Sequence, residues 1–403
     1  MAKLLEVKDL VTNFYTYEGI VKALDGVNLE IEEGKTLGLV GETGCGKSVT
    51  ALSILRLIQP PGKIEQGKIY FRRDGKPSKK SSYLDLLEQS ETFMRKVRGN
   101  KISMIFQEPS SALNPVYSIN DQVSESFLLH RSKELSEGVI KEIEEKVEKT
   151  NSILKKMTYK MKREIYKKIL VDQNSSLVKF LSRISVVRVY NHRLKKSARQ
   201  KTIEILNKLG VPHPQKLVDR YPHELSGGMQ QRIVIAMALA CHPKLLIADE
   251  PTSNLDVTIQ AQILDLIRKL SQDLGTSVLF ITHDLGVVAE MCDRVAVMYA
   301  GNVCEISEVK ELFKNSLHPY TKALINAIPR PGSKGKLKSI KGTVPNLINP
   351  PSGCRFHPRC PNQMKICRQI KPEFTRVENN HLVACHLFTP LDSEHLTGFT
   401  GEE

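Results

Sequence analysis

The segment Gly41-Glu-Thr-Gly-Cys-Gly-Lys-Ser48 constrains the fold of this chain more than any other. It matches GxxxxGK[ST] and lies between an apolar strand, Thr36 to Val40, and a helical pattern from Ser48 to Ile58. Its glycines let backbone N–H groups wrap a phosphate chain, and the helix behind it turns its positive end toward that chain. Lys47 reaches the β- and γ-phosphates, and the Ser48 hydroxyl is a ligand for Mg²⁺. Gly41, Glu42, Thr43, Gly44, Cys45, Gly46 and Val49 complete the expected phosphate-binding set.

A second half follows from Leu245-Leu-Ile-Ala-Asp-Glu250, an apolar strand that ends in two carboxylates. Asp249 is placed to hold Mg²⁺, and Glu250 to act as general base toward an attacking water. Val278 to Ile281 reads as another buried strand, with a helical pattern from Ile259 to Leu270 before it. Strands alternating with helices predict an α/β sheet with parallel strands. Near the start, residues 3 to 40 read as strands, and Ile69 to Phe71 as another. Polar and Pro/Gly-rich runs at 73–80, 328–335 and 349–354 read as loops. After Phe313 the pattern weakens.

At this point the chain resembles the ATP-binding-cassette (ABC) ATPases. Leu225-Ser-Gly-Gly-Met-Gln-Gln-Arg232 looks like the family signature. Gln107, behind the short strand Ser103 to Phe106, is similar to the Q-loop glutamine. Ser253-Asn-Leu-Asp256 is similar to the D-loop, and His283 to the switch histidine. The order is the family's, over about residues 3 to 310 apart from one insert. The resemblance implies an α/β P-loop cassette: a RecA-like core, an antiparallel β subdomain and an α-helical subdomain. It implies that Ser226, Gly227 and Gly228 face ATP held by a partner cassette, so a second cassette is needed. It implies that His283 contacts the γ-phosphate and that Gln107 senses Mg²⁺. It also implies an aromatic ring stacked on adenine; Tyr17 is the first choice and Tyr15 the alternative.

Several phrases resemble the ATP-binding subunits of oligopeptide/dipeptide importers: Arg98 to Pro109, Ala112 to Val116, Tyr221 to Leu225, Met298 to Gly301 and His318 to Thr321. The tail Pro350-Pro-Ser-Gly-Cys-Arg-Phe-His-Pro-Arg-Cys360, continuing to Cys385, resembles that branch too. Four of the eight cysteines fall there, as C-x5-C-x6-C-x17-C over Cys354, Cys360, Cys367 and Cys385. No C-x2-C pair exists to form a zinc knuckle, and longer gaps suit a larger centre. The tail's resemblance adds a [4Fe–4S] cluster as the expectation; Zn²⁺ and four buried reduced thiols stay open.

Charge is uneven. The chain carries 59 Lys/Arg against 44 Asp/Glu, a net of +15. Between Arg131 and Gln200 there are 19 basic and 8 acidic residues, which holds most of the excess. The family pattern breaks at about 131–196, so this stretch reads as a basic insertion in the helical subdomain. It is either a surface for anionic lipid or a solvated helical hairpin. No apolar run is long enough for a membrane span, and the first residues show no secretory signal core.

The expected organisation is a cassette at 1–119 and 201–312, a helical subdomain at 120–200, and a C-terminal extension at 313–403. The expected function is ATP hydrolysis driving peptide uptake through a membrane permease. Expected partners are a second, related cassette in a heterodimer, two permease subunits and an extracellular solute-binding protein. The expected location is peripheral, on the cytoplasmic face of the membrane. A nickel or other small-solute importer is the nearest alternative. A soluble nucleic-acid or ribosome-associated cassette ATPase is the rival class, but the single cassette and the importer-like tail count against it. No nucleic acid is expected as a partner.

Overall fold

The computed structural model describes residues 2–73, 83–150, 152–171, 185–253, 255–328, 340 and 342–389. Most of the expected loop at 73–80, the run 329–335 and Asn254 of the D-loop lie outside these residues, as do the side chains of Lys155, Lys167 and Lys168. The chain divides into two compact units. The first comprises residues 1–94, 247–250 and 270–403; the second comprises 95–246 and 251–269.

The first unit holds two sheets. In one, β1 (Lys3–Thr16), β2 (Gly19–Glu32), β4 (Gly62–Arg72) and β5 (Tyr83–Asp85) pair antiparallel in the order β2-β1-β4-β5. Only the two residues Tyr17 and Glu18 join β1 to β2. The other sheet is built on β3 (Thr36–Val40), with β8 (Ser277–Thr282) on one side and β9 (Arg294–Tyr299) on the other, both parallel to it. β7 (Leu245–Asp249), which belongs to this unit from Ile247 on, lies beyond β8. Every residue of β7 and β8 is buried. That is why these strands read as continuous apolar runs, since a parallel sheet is covered on both faces.

The register sets the site. Val40 pairs with Thr282 on one side and Val297 on the other. The Glu250 N–H donates to the carbonyl of Ile281 at 2.9 Å. Strands β3, β7 and β8 therefore end level, and the residues just past them emerge on one edge, the usual ligand edge of an open parallel sheet. The helix behind β3 is shorter than the sequence suggests: it spans Lys47–Ile54 and stops where Arg56 turns left-handed, at φ 52°.

The weakly patterned tail joins this sheet. β10 (Asn302–Glu308) pairs antiparallel with β9 and with β12 (Leu382–Ala384), and β11 (Phe374–Arg376) pairs with β12. Glu305 on β10 is fully buried and organises the junction. It accepts the N–H groups of Leu317 (2.7 Å) and His318 (2.9 Å) and pairs with His381 Nε2 at 2.6 Å. Burial opposes its ionisation, but these bonds hold its carboxyl below the usual range. His318 caps the helix Pro319–Asn326, its Nδ1 accepting the Tyr320 N–H at 3.0 Å.

The second unit is mainly helical. Ile119–His130, Ser132–Lys149, Ile153–Val171, Ser185–Lys208 and Gly227–Leu239 are its longer helices, followed by most of Val257–Leu274. The basic insertion has a core of its own: Val139, Ile140, Ile143 and Val147 pack with Tyr166 and Tyr190. The two tyrosine rings lie 4.6 Å apart, and Tyr190 shares a 2.6 Å hydrogen bond with Ser136.

Burial lowers the His318 pKa from 6.5 to about 4. In that window the unfolded chain binds a proton that the folded chain refuses, so stability falls as pH drops from 6.5 toward 4. Glu305, with its lowered pKa, adds a loss in the same direction below about 4.5. His318→Asn keeps a capping acceptor and removes the titration. Its melting temperature between pH 6.5 and 4 is expected to change less than that of the wild type; parallel profiles would show that His318 ionises alike in both states.

Candidate active site and its family

Gly41 leaves β3 against the carbonyl of Met298 on β9. A Cβ there would sit 2.1 Å from that oxygen, so only glycine fits. Gly46, with φ +105°, caps the following helix in a left-handed conformation. Between them, Thr43 and Gly44 are exposed and Cys45 is buried, with Gly301 donating its N–H to the Cys45 carbonyl at 2.8 Å. Burial raises the Cys45 thiol, which marks it as packing rather than chemistry. Lys47 is also buried, and its ammonium donates to the carbonyls of Gly41 (2.8 Å) and Glu42 (3.2 Å). Ser48 is exposed at the mouth, with Val49 half-buried beside it.

Asp249 ends β7 and is 4 % exposed. Burial raises its pKa, while a hydrogen bond from the Ser48 hydroxyl opposes the rise. Its Oδ1 has no hydrogen-bond partner among the described residues. A buried carboxylate oxygen without a donor, beside a serine hydroxyl, is a hard-oxygen pair suited to Mg²⁺. Glu250 follows at φ 45°, an uncommon conformation for a side-chain-bearing residue and one concentrated at functional sites. Its Oε1 lies 3.1 Å from His283 Nδ1, and the His283 ring is largely exposed. The phosphate loop, Asp249, Glu250 and His283 thus meet on the edge that the strand register creates.

Gln107 and the signature residues Ser226, Gly227 and Gly228 lie in the second unit. Ser226 is the N-cap of Gly227–Leu239 and spends no side-chain bond on that cap, while Gly227 and Gly228 form the first turn. Gln231, in the second turn, donates to the carbonyl of Pro251. The Ser253 hydroxyl donates to the carbonyl of Gln107 at 2.8 Å, which joins the D-loop and Q-loop segments.

Tyr17 sits at the β1–β2 hairpin tip with its ring 99 % exposed, so both faces are open. Tyr15 is less exposed, and its hydroxyl donates to Glu65 at 2.7 Å.

The four tail cysteines lie near one another. Burial, reinforced by neighbouring thiols, raises Cys354 to about 11 and also raises Cys360 and Cys385. Met364 N–H donates to Cys367 Sγ at 3.5 Å, and the backbone at Phe356, Asn362 and Leu387 partly offsets the rise at Cys354, Cys360 and Cys385. Yet among the described residues no three His, Cys, Asp or Glu side chains are placed to hold a metal ion. Cys354 and Cys360 pack against one apolar cluster and Cys385 lies in another.

Sequence reasoning missed one part of the site. The Glu42 carboxylate is gripped by the Arg359 guanidinium at 2.7 and 3.0 Å, and the Glu42 N–H donates to the Tyr320 hydroxyl at 3.0 Å. Tyr320 lies in the phrase His318 to Thr321 and Arg359 beside Cys360, but nothing in their spacing points to residue 42.

Comparison with known proteins agrees with this geometry. The family "ABC transporter" matches residues 24–253, and "Oligopeptide/dipeptide transporter, C-terminal region" matches residues 304–367. The probable peptide ABC transporter ATP-binding protein y4tR of Sinorhizobium fredii is 42 % identical over 385 residues, covering 95 % of this chain and 94 % of its own. The dipeptide transport ATP-binding protein DppD of Bacillus subtilis is 41 % identical, with 96 % and 95 % covered. A dimeric post-hydrolysis structure of the ATP-binding cassette MJ0796 with ADP and Pi shares the fold at TM-score 0.52 and 22 % identity, covering 76 % of this chain and 99 % of its own. The chain belongs to the ABC transporter family, with an oligopeptide/dipeptide transporter C-terminal region behind its ATPase cassette.

Proposed function

We propose that this chain is the ATP-hydrolysing subunit of an importer for oligopeptides or dipeptides. The observation that carries the catalytic half is the sheet edge where Ser48 and the unpartnered Asp249 oxygen stand by the phosphate loop and Glu250 pairs with His283. The peptide half rests on the C-terminal match and on relatives whose names specify peptide or dipeptide transport.

In this reading, loop N–H groups and Lys47 hold the β- and γ-phosphates, and Tyr17 stacks on adenine. Ser48, Asp249 and Gln107 are the residues that would hold Mg²⁺, which supplies charge neutralisation between the phosphates. Glu250 takes the proton of the attacking water, and His283 holds Glu250 and the γ-phosphate in register. Ser226, Gly227 and Gly228 serve the nucleotide of a second cassette, because their helix N-terminus favours an anion. The working assembly adds two permease subunits and a solute-binding protein outside, with this chain peripheral on the cytoplasmic face. No helix among the described residues is long and apolar enough to cross a membrane. Residues 1–119 with 201–312 are read as the cassette, 120–200 as the helical subdomain and 313–403 as the extension.

Two finer proposals attach to this reading. Anionic lipid is the proposed partner of the basic insertion. Along the helix Ile153–Val171, Ile153, Leu154, Met157 and Met161 stand exposed, with Lys156 and Lys160 exposed among them. Such a face suits an anionic surface, at about 1 kcal/mol per Lys near it. The four tail thiols are proposed to bind one metal centre, iron–sulfur first and zinc second. That rests on their nearness to one another and on the Met364 N–H donor at Cys367, and no catalytic step depends on it.

Glu250→Gln is expected to leave ATP binding intact and to slow hydrolysis by roughly 10²–10⁴-fold. Cells lacking the chain should lose uptake of a labelled oligopeptide and regain it with the wild type but not with this variant. Hydrolysis with undiminished peptide uptake in the deletion strain would move the substrate to nickel or another small solute. Vesicles with anionic lipid should retain the chain in a salt-sensitive way that Met157→Glu/Met161→Glu weakens; equal retention by zwitterionic vesicles would remove the lipid partner. Anaerobically purified protein should carry iron and acid-labile sulfide that Cys354→Ser loses. Zinc without sulfide would substitute a zinc site, and neither metal would leave four reduced thiols.

A further inference from the structure

We propose that Arg359 is a positioning residue for the phosphate loop: through Glu42 it fixes the loop's first turn and cancels a carboxylate that would otherwise repel the nucleotide. The inference rests on the ATPase reading and adds to it a dependence of nucleotide affinity on the C-terminal extension.

Glu42 is the first residue after Gly41 in the loop that cradles phosphate, and it is an acid facing a polyanion. Left unpaired, its charge would oppose binding at the short range where Coulomb energy is largest. Arg359 meets it with both terminal nitrogens, at 2.7 and 3.0 Å. This is the bidentate fork that fixes a carboxylate in direction as well as in charge. The pair is partly shielded from water, with side chains 7 % and 24 % exposed. A shielded pair is screened less than a surface pair and is costly to break from one side.

The guanidinium is itself held in place. It donates to the Tyr299 hydroxyl at 3.2 Å and lies 5.6 Å from the centre of that ring. Tyr299 packs with Tyr320 and Phe356, at ring-centre distances of 4.7 and 5.1 Å. Tyr320 returns to the loop, accepting the Glu42 N–H at 3.0 Å. The backbone and the side chain of one loop residue are therefore both anchored by residues C-terminal to β10. Arg355, on the same short segment, ties the extension to Asp25 at 3.3 Å and to the carbonyls of Lys22 and Ala300. Cys354 and Cys360 bracket this segment.

The test is titration of the full-length chain with a fluorescent ATP analogue in the presence of Mg²⁺. Arg359→Ala should weaken binding roughly tenfold, and Arg359→Lys by less, because a point charge keeps the neutralisation but not the fork. The double variant Glu42→Gln/Arg359→Ala should recover most of the affinity, because the uncovered charge is gone. A merely structural contribution of Arg359 would show no such rescue. Tyr320→Phe, which removes only the hydroxyl, should weaken binding by about threefold and serves if Arg359→Ala does not fold. Unchanged affinity in Arg359→Ala and Tyr320→Phe, or a loss in Arg359→Ala that Glu42→Gln does not relieve, would overturn the proposal while the wild type still binds. A wild type that binds no nucleotide would overturn the ATPase reading itself.

Discussion

The approach of Gly41 to the Met298 carbonyl is the constraint on which the rest of the site depends. A parallel strand flanked by two others has little room at its end, and the chain must turn there while keeping its N–H groups free. A side chain at 41 would sit 2.1 Å from a backbone oxygen that cannot move without shifting β9. With glycine there, the loop folds back over the sheet edge and Lys47 can tuck under it. The level ends of β3, β7 and β8 then place Asp249, Glu250 and His283 on the same edge. The uncommon backbone of Glu250 belongs to the same geometry, since its N–H is taken by Ile281 on the neighbouring strand.

The extension is held to this unit by two different kinds of force. One is a buried charge, Glu305, which only a full set of donors makes tolerable. The adjacent Leu317 and His318 N–H groups and the distant His381 ring supply them from two places in the chain. The other is the aromatic contact of Tyr299, Tyr320 and Phe356, all nearly water-free. Charge sets the direction of the packing and the rings supply area, so the segment that carries Cys354 and Cys360 arrives beside the phosphate loop in one orientation.

The strands β3, β7 and β8, the phosphate loop and the two acids were legible because each is a local pattern: an apolar run, a glycine spacing, a strand end. The helix behind the loop was overextended, because Leu55 to Ile58 continue the apolar spacing and nothing local marks Arg56 as a left-handed stop. β11 and β12 were not legible at all. Each spans three residues, too few for a period; β12 pairs with β10 across the long gap between Glu305 and Val383, and β11 pairs only with β12. The insertion's positive charge was legible, but its internal tyrosine core was not, because Tyr166 and Tyr190 meet only when two helices pack.

By itself the sequence determined the phosphate-binding chemistry, the position of the two carboxylates along the chain and the family's order of motifs, because each needs only residue type and spacing. The tertiary structure alone decided which thiols lie against which core, that Glu250 meets His283, and that Arg359 answers Glu42. Those pairings join residues up to 317 positions apart. Sequence spacing carries no information at that range; the strand register and the packing of buried rings bring them together.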